Sequence, residues 1–144
     1  MSVVEGMSVK VVSVAPSDSA RDAILRMLEE EVGSVAVCDG QRLVGIFTER
    51  DVLRLAGAGV DFDATAVGDV MTHRLFVVEP DDDIVAAAHL MQQQRIRHLP
   101  VVQGGNLLGI LGVREVLRAL VERLWSAHDE NAHDTTRELL RRGA

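Results

Sequence analysis

The sequence predicts an α+β fold: two copies of a βαββα unit packed with pseudo-two-fold symmetry, followed by a C-terminal helical tail. Three observations predict it. The first is a repeat. Shifted by 64 residues, 3–54 aligns with 67–118 without a gap, and 16 of those 52 positions are identical. Unrelated stretches of average usage match at about one position in twelve. The second is where the identities fall: Pro16 with Pro80, Asp18 with Asp82, Met27 with Met91, Gly40 with Gly104, Gly45 with Gly109. These are positions of turns, caps and core. The third is size. Each copy has roughly 50 residues, too few to bury a comfortable core alone, so the copies are expected to cover each other's apolar face. Such a pairing leaves equivalent clefts at its interface, where ligand sites tend to lie.

Each copy opens with a short apolar strand, predicted at 9–14 and 75–78. A helix follows. Ser17, Asp18 or Ser19 can cap it in the first copy, where Ala20, Ala23, Ile24, Met27 and Leu28 recur at helical spacing. In the second copy Asp81 to Asp83 open it, and Ile84, Ala87, Ala88 and Met91 form the stripe. Apolar runs at 32–38 and 96–102 then lead through Gly40 or Gly104-Gly105 into a second apolar run, which predicts a hairpin. A second helix, 50–56 or 114–124, closes the unit. The domain reading is a first repeat at 3–56, a linker at 57–66, a second repeat at 67–124 and a tail at 125–144. In the tail, a polar stretch at 126–136 precedes a short helix ending Leu139-Leu140-Arg141-Arg142.

Composition narrows the function. Of 144 residues, 47% are apolar but only 3% aromatic, so the core must be aliphatic. The net charge of −7 opposes a general nucleic-acid binder, whose affinity comes from cations neutralising phosphates. Arg50, Arg54 and Arg74 are the one locally basic counterweight. Cys38 is the single cysteine, which rules out an internal disulfide, suits a reducing compartment and reads as an apolar filler. Neither a membrane span nor a signal peptide is visible, so a cytoplasmic protein without a membrane partner is expected. No nucleophile–base pair or paired carboxylates stand out, so an enzyme is not expected. His128, Asp129, His133 and Asp134 cluster in the tail, but histidines five apart do not share a helix face, and no metal site is expected. Trp125 and Leu139-Leu140 read as helix packing or a dimer contact.

Three runs carry a resemblance. Val67-Gly68-Asp69-Val70-Met71-Thr72, Arg95-Ile96-Arg97-His98-Leu99-Pro100-Val101-Val102 and Leu43-Val44-Gly45-Ile46-Phe47-Thr48-Glu49-Arg50-Asp51 resemble cystathionine-β-synthase (CBS) domains, over roughly 3–118. The resemblance implies a tandem pair, or Bateman module. Such pairs bind an adenosine-containing ligand between the copies: AMP, ADP or ATP, sometimes S-adenosylmethionine or NAD. The ligand is regulatory rather than a required cofactor. The resemblance further implies a homodimer and a regulated partner protein.

Gly45-Ile46-Phe47-Thr48-Glu49-Arg50-Asp51 matches the family's ribose motif, with Thr48 and Asp51 as the ribose ligands. A carboxylate can accept from both hydroxyls of a diol, and a threonine hydroxyl can donate or accept beside it. The same spacing is also a helix capping box, and the sequence leaves both readings open. The second copy has Gly112 for the hydroxyl and Glu115 for the acid. Two unequal sites are therefore expected, the lesser one built on Glu115, Arg114 and Ser34. By resemblance the ligand's phosphate meets Arg97 and His98, with Arg74 in support; the first copy has Gly33 and Ser34 where Arg97 and His98 stand. A surface or interface ion pair for Arg97 and a satisfied, partly buried histidine for His98 are the alternatives. The adenine wall, also by resemblance, is Leu75, Phe76, Val77, Pro80 and Ile46, although Phe76 is equally readable as core. The rival reading of the whole chain is an interaction or dimerisation module with no ligand.

Overall fold

The computed structural model describes residues 1–8, 10–126 and 130–143, with side chains throughout except at 130–133. The first half contains α1 (Val3–Gly6), β1 (Ser13–Val14), α2 (Ala20–Glu29), β2 (Ser34–Asp39), β3 (Arg42–Thr48) and α3 (Glu49–Gly57). The second contains α4 (Val67–Val70), α5 (Ile84–Gln94), β4 (His98–Gln103), β5 (Asn106–Gly112) and α6 (Val113–Trp125), and α7 (Glu130–Arg142) follows. The expected α+β architecture with its helical tail is present. The same 64-residue shift carries α1 onto α4, α2 onto α5, and each hairpin onto the other.

One sheet spans both halves in the order β1-β2-β3-β5-β4. Within each half the hairpin is antiparallel, closing at Asp39 opposite Arg42 and at Gln103 opposite Asn106. Two-residue loops this tight need left-handed backbone. Gly40 supplies it in the first half (φ 61°), Gly104 and Gly105 in the second (φ 60° and 82°). The halves join tip to tip, Arg42 beside Asn106. There Leu43 N donates to Gly105 O (3.3 Å) and Leu107 N to Gln41 O (3.2 Å). These reciprocal bonds mark the pseudo-two-fold axis.

Of the three possible caps of α2, Ser19 does the capping, accepting from Asp22 N at 3.0 Å. Asp83 caps α5, accepting from Ala86 N. Asp18 and Asp82 instead hold the preceding turns, accepting from Ala15 N and Glu79 N, each at 2.8 Å.

The packed halves are not the sequence repeats. Val3 of α1 lies in the core of the second half with Val78, Ile84, Leu99 and Leu111. Val67 of α4 lies in the core of the first, with Val14, Ala20, Val35 and Phe47. Val3 N donates to Asp82 O (2.8 Å) and Val67 N to Asp18 O (2.7 Å). Ser8 then bridges Ile110 of β5, and Thr72 bridges Ile46 of β3. Each repeat therefore begins in the other half and crosses to its own.

That crossing corrects the predicted first strands. Val9 lies outside the described residues, and of 10–14 only Ser13–Val14 forms a strand, parallel to β2. Of 75–78, only Val78 pairs, as a bridge to Val101. A segment tied to one half at Thr72 and to the other at Val78 spans the gap between them, and the residues between stay in register with neither. α7 also begins earlier than its polar composition suggested. Leu139 and Leu140 are exposed on it. His128 and Asp129, and the side chain of His133, lie outside the described residues. Among those described, no helix is long and apolar enough to cross a membrane, and no group of three or more His, Cys, Asp or Glu is placed to hold a metal.

Candidate ligand cleft between the halves

β3 ends at the boundary between the halves, and α3 starts there. Thr48 is the N-cap of α3, its hydroxyl accepting from Asp51 N at 3.3 Å. Asp51 answers: its Oδ2 accepts from Thr48 N (3.0 Å) and Thr48 Oγ1 (3.2 Å). The capping box is thus formed. It does not exhaust the carboxylate, which has about four acceptor positions. A third donor comes from the crossing segment, where Thr72 Oγ1 lies 3.1 Å from Asp51 Oδ1. Arg54 stands 3.6 Å from the same oxygen. Asp51 is buried yet borders open space, a cleft of about 630 Å3.

That cleft is lined by Ile46, Thr48, Glu49, Arg50, Asp51 and Leu53 of the first half, with Thr72 bridged to Ile46 beside them, and by Ile96, Arg97 and His98 of the second. It brings Thr48 and Asp51 of the first half together with Arg97 and His98 of the second. Ile46 and Ile96 give it apolar surface. Arg50 ties its walls together, donating from Nη1 to Arg95 O at 2.8 Å. Arg95 holds a left-handed backbone there (φ 54°).

The pseudo-symmetric cleft measures about 480 Å3. Ser8, Ile110, Gly112, Arg114 and Glu115 line it in place of Thr72, Ile46, Thr48, Arg50 and Asp51, and Lys10 lines it as well. Ser34 lines it too, where His98 lines the first cleft. Gly112 caps α6 without a side-chain bond. His98 sits opposite Gly112 across the β4–β5 pair, while the Glu115 carboxylate reaches back over Gly112 into the space a Cβ there would take, with the His98 ring at ordinary contact distance, 3.6 Å. The corresponding pair in the first half is Ser34 opposite Thr48.

Glu49, Arg97 and His98 line both clefts. The Glu49 carboxylate fills the space over Gly33, which is where a side chain equivalent to Arg97 would project. Burial pushes the His98 imidazole below its ordinary 6.5, against the opposing pull of Glu115 and Glu49, with Arg97 and Arg114 adding to the depression. The ring is therefore a neutral hydrogen-bonding group near neutral pH.

Arg74, Leu75, Phe76, Val77 and Pro80 do not line the first cleft as it stands. Phe76 and Val77 are exposed. Sequence reasoning passed over Thr72, Glu49, Arg50 and Ile96. Only Thr72 had a readable signal: a hydroxyl recurs at the equivalent Ser8.

A two-fold module of repeated hairpins with paired clefts at its waist defines a class, and comparison with known proteins supplies its family. The CBS domain model matches residues 2–57 and 67–122, and the chain belongs to the CBS domain family as a tandem pair. It is 37% identical over 110 residues to the mitochondrial CBS domain-containing protein CBSX3 of Arabidopsis thaliana, covering 72% of this chain and 53% of that protein. It is 35% identical to the arabinose 5-phosphate isomerase KdsD of Yersinia pestis, covering 76% of this chain but 34% of that enzyme. The chain thus spans a third to about half of these relatives' length. Among solved structures, a putative signal-transduction protein with CBS domains from Burkholderia ambifaria superposes with TM-score 0.79 at 30% identity, covering 85% of this chain and 95% of that one. PAE2072 from Pyrobaculum aerophilum, complexed with AMP, gives 0.78 at 25% identity, covering 88% and 99%. CBSX2 in complex with AMP gives 0.75 at 31% identity, covering 84% and 96%.

Proposed function

We infer that the chain is a regulatory module that binds an adenine nucleotide in the first cleft and performs no chemistry on it. One observation carries the reading: a carboxylate and hydroxyl suited to a ribose diol, Asp51 and Thr48, share a cleft with Arg97 and His98, suited to phosphate. These come from opposite halves, so the complete set exists only when the halves are packed. The volume lies within the usual range for small-molecule sites. The AMP carried by PAE2072 and CBSX2 supports the same ligand class. In this reading the base lies on Ile46 and Ile96. Arg74, Leu75, Phe76 and Val77 contribute by movement of the 73–77 segment against the ligand, with Pro80 fixed beyond the Val78 bridge. Ligand binding shifts the chain toward the arrangement it binds best, and a partner protein reads that shift in a cytoplasmic homodimer.

Thermal unfolding with AMP, ADP, ATP, NAD and S-adenosylmethionine tests it. A ligand specific to the folded cleft stabilises by about 2.7 kcal/mol at a hundredfold excess over Kd. Asp51→Asn keeps the shape of the capping box while removing the charge, and is expected to abolish that shift. No shift with any of the five would favour the ligand-free interaction module. A shift that survives Asp51→Asn would place the ligand elsewhere.

A further inference from the structure

The first cleft has a direction. Its ribose-competent end, Thr48 and Asp51, lines that cleft alone, whereas Arg97 and His98 line both clefts. A ligand anchored by its sugar at Asp51 therefore points its phosphate toward the junction of the two clefts. Glu49 stands at that junction. It too lines both clefts, and its carboxylate lies over Gly33, with His98 Nε2 3.2 Å from where a Cβ on Gly33 would stand. α3 holds it there, since Glu49 is the helix's first residue and its backbone N donates to Gly33 O at 3.0 Å. The pseudo-equivalent residue is Val113, so the carboxylate is present once.

We propose that Glu49 is the specificity-determining residue of the cleft: its carboxylate at the junction admits a ligand with one phosphate and disfavours a longer anionic chain. This rests on the nucleotide reading above. The first phosphate meets Arg97, with His98 as a donor. A second and third phosphate would extend past these groups to Glu49. The cationic side chains lining the first cleft are Arg50 and Arg97, and one nitrogen of Arg50 is already held by the Arg95 carbonyl. His98, kept neutral by burial, does not offset the carboxylate. Across the junction stand Glu31 and Glu115 as well as Lys10 and Arg114, so the second cleft does not present an excess of cations to a trailing phosphate.

The test is calorimetric titration of AMP and of ATP without divalent cations, into the full chain and its Glu49→Gln and Glu49→Ala variants, at low salt. The readout is the ratio of the two affinities. Wild type is expected to prefer AMP. Both variants are expected to lower that preference about fivefold to tenfold, an effect that shrinks as salt screens the junction. Glu49 is exposed, and unchanged thermal unfolding of the empty variants checks that they fold. An unchanged ratio in both variants, while Asp51→Asn abolishes AMP binding, overturns the role of Glu49 and leaves the nucleotide cleft standing. Absence of binding by either nucleotide, or AMP binding indifferent to Asp51→Asn, overturns both.

Discussion

In the first half the hairpin reaches the waist of the molecule with Ser34 opposite Thr48; in the second it arrives with His98 opposite Gly112. The backbone bonds around these pairs are matched. Glu49 N donates to Gly33 O at 3.0 Å, and Val113 N to Arg97 O at 2.9 Å. What differs is how each pair uses its space. One half places a hydroxyl on the helix cap and a small partner across from it. The other places an imidazole on the partner strand, and the cap has become glycine. A duplicated unit can thus specialise by moving bulk and polarity from one strand to its neighbour while its backbone stays unchanged. The result is one cleft with complementary halves, and a second whose place for a basic side chain is taken by Glu49.

The comparison can be broken most forcefully where the crossing segments pass the hairpins. A Cβ on Gly109 would stand 2.7 Å from the Ser8 carbonyl oxygen, which is backbone. A Cβ on Gly45 would meet the Met71 side chain, which can rotate away. Gly109→Ala is expected to cost about 1–3 kcal/mol of stability, and Gly45→Ala under about 1 kcal/mol. Denaturant titration measures both; equal costs would mean the two crossings are packed alike. Next in size is the hydroxyl that ties the crossing segment to Asp51. Thr72→Val removes its bonds to both carboxylate oxygens and is expected to cost about 1 kcal/mol. Ser8→Ala loses only an acceptor for Lys10 N and is expected to stay within about 0.5 kcal/mol. If the two changes cost the same, Thr72 does not hold the crossing segment through Asp51.

The smallest effect at neutral pH concerns His98. Its folded pKa lies below its unfolded value, so between the two the unfolded chain binds more protons. Stability from this group is present above the unfolded value, near 6.5, and is lost as pH falls through the folded one. His98→Ser makes the second half resemble the first at this position. It is expected to flatten the fall in melting temperature below pH 6.5, and an unaltered profile would show that His98 is not the group responsible.

Much of this was readable from residues. The 64-residue repeat located both hairpins, and Gly40, Gly104 and Gly105 marked their turns, because turns and aliphatic strands are specified locally. The motif at Thr48 and Asp51 was readable as chemistry but ambiguous as role, since cap and ligand site require the same atoms. The structure shows the cap formed and the rest of the carboxylate met by Thr72 Oγ1 and Arg54 at the edge of the cleft.

What the sequence by itself determined, then, is the repeat, the order of helices and hairpins, and the asymmetry between Thr48-Asp51 and Gly112-Glu115. Local propensity and side-chain chemistry suffice for these. Only the tertiary structure decided that each repeat begins in the other's core, that residues 73–77 form no strand, and that Thr72 and Glu49 reach the cleft. Each of those depends on which surface a segment meets away from its own sequence neighbours, as Thr72 meets Ile46 and Val3 meets Asp82. Burial and register are properties of that meeting, and no local pattern encodes them.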